Sequence, residues 1–380
     1  MTESKLSFIR EDLLNLLAYI PTPISENQKQ LTRLDANESP YNLPSELKVK
    51  LALFYEQEIE TNRYPDGSHF KLKNLITEYV NESINIANNR INYSQISVGN
   101  GSDELIRSIL IATCLNNQGS ILVANPTFSM YEILAQSLGI ITHTINRNEN
   151  SFSWALDATN KLIYDSNKNV KVIFMVHPNS PTANCLTATE IEWLKNLPSN
   201  ILVVIDEAYY EFSQQTLVSE LPNHPNWLIL RTFSKAFRLA AHRVGYAIAH
   251  EDIIKVLEKI RLPYNLPTFS QLASELVLEN REIILPAVKE LMIEKERVYQ
   301  ELVKNPLLKV WHSDANFIYL RLRKNPSQEN HHAIMKQLKQ EKIIIRHTGG
   351  GLRISIGTIT ENNYLLEILR KEIIGVRIKM

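Results

Sequence analysis

Cysteine is scarce in this sequence. Its 380 residues include only Cys114 and Cys185, so a disulfide framework is excluded and a reducing compartment is expected. An excess of charge of one sign is also lacking, because 41 Lys and Arg residues balance 41 Asp and Glu residues. No overall field therefore favours nucleic acid or an anionic membrane as a partner.

Long hydrophobic runs are absent too. No apolar stretch approaches the ~20 residues that cross a bilayer, and the N-terminus shows no basic segment followed by an apolar one. We therefore expect a cytoplasmic protein with no membrane partner. The length allows two domains with sizeable cores, and 44% hydrophobic with 22% charged residues is ordinary for a globular protein.

Short apolar runs alternate with helical patterns between about residues 70 and 250. This alternation predicts an α/β fold with a mostly parallel sheet, in which ligands bind at the carboxyl ends of the strands. The later part of the chain has long helices and fewer strands, which predicts a smaller α+β unit. The predicted strands are 94–98, 121–124, 140–145, 170–176, 201–205, 227–230 and 244–249, then 316–321 and 352–356 in the smaller unit.

Several polar clusters directly follow these strands. Residues 99–104 close one strand and open a helix, where small residues and free N–H groups suit an anion. Phe128 follows the next strand, and Asn179 lies in a proline-rich turn, where its amide could reach a ligand hydroxyl. Taken singly, these features are explained equally well as a capped helix, a core aromatic and an ordinary loop.

Two further clusters carry ionisable groups. Asp206 ends an apolar run, and a carboxylate there is costly unless a cation such as a protonated ring nitrogen lies opposite. Lys235 follows Ser234 and precedes Arg243. Pyridoxal phosphate chemistry needs a lysine amine, a carboxylate, donors to the ring hydroxyl, an aromatic face and an anion cradle. The complete set favours this cofactor. No metal-binding motif such as H-E-x-x-H or C-x-x-C occurs, so no metal is predicted.

At these residues the chain resembles the fold-type I pyridoxal-phosphate aminotransferases, and among them most closely the histidinol-phosphate aminotransferases. The resemblance covers nearly the whole chain, including residues 34–40, 63–66, 206–209, 234–237 and 349–358. It implies an aspartate-aminotransferase-like fold. The N-terminal arm and part of the small domain would occupy residues 1–44, the large cofactor-binding domain with a seven-stranded sheet 45–265, and the small C-terminal domain 266–380.

The resemblance also implies roles at the cofactor. Lys235 would bind the aldehyde as a Schiff base and then move a proton, and Asp206 would keep the ring nitrogen protonated. Tyr209 and Asn179 would hydrogen-bond the ring oxygen, while Phe128 would stack on the ring. The phosphate would be cradled by Ser102, Asp103, Ser234 and Arg243.

Four more residues would serve the substrate and the assembly. Arg353 would grip a carboxylate in a bidentate fork, and Arg346 would meet a distal phosphate. Tyr19 would approach the substrate from the N-terminal arm, and Tyr64 would reach the phosphate of a neighbouring subunit, which implies a homodimer. The implied reaction converts L-histidinol phosphate and 2-oxoglutarate into imidazole acetol phosphate and glutamate, as in histidine biosynthesis.

Three positions depart from the family pattern. Ala183 and Ala241 stand where glycine is usual, and Arg238 replaces a small residue; its cation could lie near the cofactor or substrate phosphate, but it is expected to point to solvent. None of these changes removes a catalytic group.

Other functions stay open at this point. An aromatic or broad-range aminotransferase and a threonine-phosphate decarboxylase share much of the pattern. A non-catalytic ligand sensor of a transcription regulator is disfavoured, because only about 35 residues precede the first motif.

Overall fold

The computed structural model describes residues 8–18, 20, 31–84 and 90–378, with the backbone alone for 372–378. The strands in these residues are β1 (Thr32–Leu34), β2 (Ile96–Asn100), β3 (Ser120–Asn125), β4 (Thr142–Asn146), β5 (Val170–Val176), β6 (Leu202–Asp206), β7 (Trp227–Thr232), β8 (Val244–Ala249), β9 (Leu308–Val310), β10 (Phe317–Leu322), β11 (Ile343–Thr348) and β12 (Gly351–Ser355). The α-helices are α1 (Glu11–Leu14), α2 (Ser45–Gln57), α3 (Phe70–Ser83), α4 (Ser102–Thr113), α5 (Met130–Ser137), α6 (Leu156–Ile163), α7 (Ala188–Lys195), α8 (Tyr210–Ser213), α9 (Glu251–Ile260), α10 (Thr268–Glu279), α11 (Arg281–Ile284), α12 (Pro286–Val303), α13 (Gln328–Gln340) and α14 (Ile359–Ile378).

The large sheet has the strand order β2-β8-β7-β6-β5-β3-β4. Neighbouring strands from β7 to β4 pair in parallel, whereas β8 runs antiparallel to both β2 and β7. The predicted α/β fold with a mostly parallel, seven-stranded sheet is therefore confirmed. Strands β5 and β8 begin and end at the predicted residues.

Alternating residues of strand β5 show why the sheet is covered on both faces. Val172 and Phe174 belong to a core shared with α4, α5 and α9. Ile173 and Met175 belong to a second core shared with α2, α3 and α10. Since successive side chains of a strand point to opposite faces, a strand that is apolar at every position must be buried on both.

The small sheet has the order β1-β11-β12-β10-β9 and shares a core with α12, α13 and α14. Strand β1 pairs in parallel with β11, with Thr32 opposite Ile343, so the N-terminal segment joins the C-terminal unit. Helix α10 contacts α2 and α3, and its apolar residues belong to the core of the large unit. The boundary expected at residue 265 stays a prediction, and this packing favours a boundary after α11.

The turn between β11 and β12 lies against the large unit at the carboxyl edge of its sheet. A Cβ atom on Gly349 would lie 2.6 Å from Pro126 Cβ and 2.9 Å from Pro181 Cγ. These prolines follow strands β3 and β5, so the small unit covers the edge at which a ligand of an α/β sheet binds. None of the helices in the described residues is long and apolar enough to cross a membrane.

Candidate active site

A cavity of about 140 Å³ lies at the carboxyl ends of the large sheet. It contains residues from the ends of β5, β6 and β7 and from the start of α4. The lining residues are Ser102, Asp103, Phe128, Val176, Ser180, Asp206, Ala208, Tyr209, Thr232, Ser234, Lys235 and Arg243. The structure thus gathers most of the expected cofactor residues around one space, although they are spread along the sequence.

Lys235 is half-buried in this cavity, and its Nζ donates a hydrogen bond to the Ala36 carbonyl oxygen at 2.8 Å. Burial lowers the pKa of the lysine, and the Arg353 and Arg243 cations lower it further. Desolvation disfavours the charged form of an amine, so the uncharged nucleophilic form becomes more accessible.

Asp206 is the last residue of β6 and is 4% exposed. Its Oδ2 accepts a hydrogen bond from the Tyr131 hydroxyl at 2.6 Å, and its Oδ1 accepts one from the Ala208 amide at 3.0 Å. Burial raises its pKa to about 6. Lys235 and Arg243 line the same cavity, but among the described residues no Lys, Arg or His side chain forms an ion pair with Asp206.

The other end of the cavity is built to hold an anion. Arg243 has a left-handed φ of 55° and donates from Nη1 to Ser234 Oγ at 3.3 Å. A Cβ atom on Gly245 would lie 2.6 Å from the Ser102 amide nitrogen, so glycine is required for this close approach. The amides of the first turn of α4 have no intrahelical acceptor, and the helix dipole makes this end positive.

Tyr209 lines the cavity and is hydrogen-bonded to the N-terminal segment. Its hydroxyl oxygen accepts a hydrogen bond from Asn37 Nδ2 at 2.9 Å, so the hydroxyl proton is available for another acceptor. The backbone N–H of Asn37 donates a hydrogen bond to Ser355 Oγ on β12 at 2.8 Å. Asn37 is fully buried, and sequence reasoning assigned it no role although it lies in the segment that carried the resemblance.

The loop after β5 presents Ser180 to the cavity, and Asn179 is not among the lining residues. Both amide hydrogens of Asn179 are engaged, with the Pro126 carbonyl oxygen at 3.0 Å and Thr182 Oγ1 at 2.6 Å. Ser180 Oγ accepts a hydrogen bond from Arg353 Nη1 at 3.1 Å. The contact of Asn179 with the ligand's ring oxygen stays a prediction; these hydrogen bonds fix the position of its side chain beside the cavity loop.

Arg346 and Arg353 are direct cross-strand neighbours on β11 and β12. Arg353 Nη2 donates to the Asp35 carbonyl oxygen at 2.6 Å, and Arg346 Nη1 donates to the Ile20 carbonyl oxygen at 3.2 Å. The two arginines therefore lie side by side on neighbouring strands, and Arg353 reaches the loop that carries Ser180. Tyr19 lies outside the described residues.

Tyr64 does not line the cavity in the single chain. Its side chain is 79% exposed and stacks on Tyr264 with ring centroids 4.5 Å apart. An exposed pair of parallel aromatic rings is a feature of contact surfaces.

The departures from the family pattern have structural explanations. Arg238 does not simply point to solvent, contrary to the expectation: it donates to the Asn42 and Ile284 carbonyl oxygens at 3.0 and 3.1 Å. Ala183 is fully buried with a φ of 63°, in the region where glycine is preferred.

A buried ion pair supports the strand ends beneath the cavity. Arg231 and Glu207 are 1% and 0% exposed, and their Nη2 and Oε2 atoms are 2.9 Å apart. The Arg231 guanidinium also lies 3.7 Å from the centre of the Tyr210 ring. Glu207 lies within the motif at 206–209, but its pairing with Arg231 could not be inferred from the sequence.

The comparison with known proteins places this site in a family. Residues 29–369 match the family described as aminotransferase class I and II. The chain belongs to this family.

Two similar proteins identify the branch of this family to which the chain belongs. The chain is 54% identical over 373 residues to a histidinol-phosphate aminotransferase of Trichodesmium erythraeum, covering 96% of this chain and 99% of the relative. It is 53% identical to histidinol-phosphate aminotransferase 2 of a Nostoc species, covering 97% and 100%. These identities place the chain among the histidinol-phosphate aminotransferases.

Solved structures share the fold at lower identity. A histidinol-phosphate aminotransferase of Sinorhizobium meliloti, solved in complex with pyridoxal-5′-phosphate, has a TM-score of 0.81 at 20% identity and covers 97% of this chain and 99% of its own. An L-threonine-O-3-phosphate decarboxylase of Porphyromonas gingivalis has a TM-score of 0.74 at 18% identity and covers 90% and 99%. Fold similarity alone therefore does not separate the two activities.

Proposed function

We propose that the protein binds pyridoxal 5′-phosphate in the cavity around Lys235 and transfers the amino group of L-histidinol phosphate to 2-oxoglutarate. The observation that carries the chemistry is the shared cavity of a lysine with a lowered pKa and a buried carboxylate with a raised pKa. The substrate assignment is supported by the arginine pair and by the named relatives.

The residues present fit this cofactor. The buried Asp206 carboxylate suits a protonated ring nitrogen, since a buried charge needs an opposite charge. The first turn of α4, Ser234 and Arg243 suit a phosphate. Phe128 lines the same cavity and suits one face of an aromatic ring. When bound, the cofactor stabilises negative charge that develops on the substrate carbon.

The residues of the chain would then act as follows. Lys235 Nζ would hold the cofactor through its aldehyde and, as a free amine, would accept a proton from the substrate carbon. The Tyr209 hydroxyl oxygen already accepts a hydrogen bond from Asn37 Nδ2. Tyr209 would therefore donate its hydroxyl proton to the ring oxygen. Asn179 remains a predicted partner of the ring oxygen, and Ser180 of the same loop lines the cavity.

The two arginines allow one site to accept different substrates. Histidinol phosphate carries a phosphate and no carboxylate, whereas glutamate carries two carboxylates. A guanidinium fork binds either group through paired hydrogen bonds. We assign the carboxylate next to the reacting carbon to Arg353, whose contact with Ser180 places it at the cavity, and the distal group to Arg346. Tyr19 remains a predicted substrate contact.

We further propose that the active unit is a cytoplasmic homodimer. Tyr64 is exposed in the single chain, and helix α2 nearby exposes Val49 and Leu53 at 59% and 42%. Exposed apolar side chains of this kind mark a contact surface. In a dimer, Tyr64 would reach the phosphate cradle of the second subunit.

The direct test is a set of half-reactions with the cofactor-loaded protein. Histidinol phosphate, glutamate, phenylalanine and threonine phosphate are each added while the cofactor absorbance is followed. We expect rapid conversion by histidinol phosphate and recovery of the starting spectrum with 2-oxoglutarate. A far greater rate with phenylalanine would favour a broad-range aminotransferase. Release of carbon dioxide from threonine phosphate would favour the decarboxylase.

A further inference from the structure

Tyr131 is a buried tyrosine that the proposed mechanism does not use. It lies in the first turn of α5 and is fully buried. Its ring stacks on Phe174 of β5 with centroids 4.4 Å apart, and it meets the Phe128 ring edge-on at 5.5 Å. A phenylalanine would satisfy these ring contacts equally well. The hydroxyl group therefore requires its own explanation, because burying it without a partner is costly.

The partner of that hydroxyl is the Asp206 carboxylate. Tyr131 donates to Oδ2 at 2.6 Å, which is short for a hydrogen bond between two oxygens. The Ala208 amide donates to Oδ1 at 3.0 Å. One donor on each oxygen fixes the plane of the carboxylate, and each oxygen keeps a lone pair for a further donor. Since the Tyr131 ring is packed between aromatic side chains, it provides a rigid support.

The surroundings of Asp206 otherwise disfavour its negative charge. The pKa of Asp206 is raised to about 6, mainly by burial and also by Asp103 on α4 and Glu207 in the next position, whereas the Tyr131 hydroxyl acts to lower it. Lys235 and Tyr209 line the same cavity as Asp206. Burial also raises the pKa of Tyr131 well above its usual range, so this hydroxyl stays a donor at neutral pH.

We propose that Tyr131 is a positioning residue, whose hydroxyl holds the Asp206 carboxylate ionised and in one orientation toward the cofactor's ring nitrogen. This inference rests on the proposed function only in that the cavity binds pyridoxal phosphate. It does not depend on which amino compound is the substrate.

The test compares Tyr131→Phe with the unchanged protein, both as full-length chains. The affinity for pyridoxal phosphate is measured by titrating the cofactor-free protein, and the absorbance of the loaded protein is then followed from pH 5 to 9 without substrate. Loss of one hydrogen bond to a charged group should weaken cofactor binding about tenfold. The acid side of the absorbance profile should move to higher pH by about one unit, because the variant carboxyl protonates more readily.

Tyr246→Phe is a matched control. Tyr246 is another buried tyrosine of the large sheet, on β8, and its hydroxyl makes no hydrogen bond to Asp206. Its replacement removes a buried hydroxyl and should leave the cofactor titration within about twofold and the absorbance profile unchanged. Thermal unfolding of both variants distinguishes a general loss of stability from a change at Asp206.

A double-mutant cycle tests whether the effect passes through Asp206. In an Asp206→Asn background, Tyr131→Phe should cause no further change in the pH profile, since no carboxyl remains to titrate. If Tyr131→Phe alone binds the cofactor as tightly as the unchanged protein with the same pH profile, Tyr131 is only a packing residue and the inference is wrong. Failure of the unchanged protein to bind pyridoxal phosphate would instead overturn the proposed function.

Discussion

Replacing each arginine of the cross-strand pair separately should change the choice of substrate. Each guanidinium offers charged hydrogen bonds worth about 1.5–3 kcal/mol to an anion. Loss of a two-bond contact of about 3 kcal/mol corresponds to a fall of roughly a hundredfold in kcat/KM. Arg346 and Arg353 also donate hydrogen bonds within the chain. Thermal unfolding of each variant therefore separates the loss of a substrate contact from a loss of stability.

The substrates separate the two residues. Arg346→Ala should lower kcat/KM for histidinol phosphate about a hundredfold and leave the half-reaction of alanine, which has no distal anion, nearly unchanged. Arg353→Ala should lower kcat/KM for both glutamate and alanine. Stopped-flow absorbance of the loaded protein measures all of these rates. Arg323→Ala is the control, since this exposed arginine lies just beyond β10. Equal losses for alanine and histidinol phosphate in Arg346→Ala would refute the assignment.

Three further predictions concern the cavity, the assembly and pH. Asp206→Asn should retain cofactor but lose about 4 kcal/mol of transition-state stabilisation, roughly a thousandfold in the glutamate half-reaction, and near-full activity would make Asp206 a core residue only. Mixing the inactive Tyr64→Ala and Lys235→Ala proteins should restore activity, because a hybrid dimer contains one site with both residues intact. A fully active protein that sediments as a monomer would contradict this. Burial raises the pKa of Glu211 from 4.5 to about 7, so ionisation opposes folding and wild-type stability should fall as pH rises through this range. Glu211→Gln should remove that fall and gain ~1–3 kcal/mol of unfolding free energy at pH 8. Urea unfolding at pH 5 and 8 measures this, and an equal change of unfolding free energy between the two pH values in both proteins would contradict it.

The large sheet could be predicted because its central strands β5, β6 and β7 are apolar at almost every position. Strand β5, for example, has one intermediate residue among buried ones. Strand β2 begins two residues later than predicted, at Ile96, because Tyr93–Gln95 form a 3-10 turn capped by Asn92. Capping of this short turn competes with strand pairing, and the hydrophobic pattern alone cannot resolve that competition.

Short strands at long sequence separation could not be predicted. Strand β1 has three residues and pairs with β11 more than 300 positions away. Such a segment has too few residues for a periodic pattern, and its structure depends on a partner that the local sequence does not identify. Strand β11 is likewise not among the predicted strands, although it carries Arg346.

The candidate site shows the same division. Lys235, Asp206 and Arg243 could be chosen from the sequence because each follows a recognisable strand in a motif. The contact between Ser180 and Arg353 could not be predicted, because the direction of a side chain in a turn depends on its tertiary contacts. The Tyr131 contact was missed for a related reason, since a tyrosine within an apolar helix normally indicates core packing.

The most direct test of the account is to locate the cofactor on the chain. The loaded protein is reduced with borohydride, which makes the bond between pyridoxal phosphate and an amine permanent, then digested and analysed by mass spectrometry. The account predicts that the modified peptide contains Lys235 and that Lys235→Ala gives no modified peptide from the residues that line the cavity. Stoichiometric modification of a different lysine in the unchanged protein, with Lys235 unmodified, would contradict it.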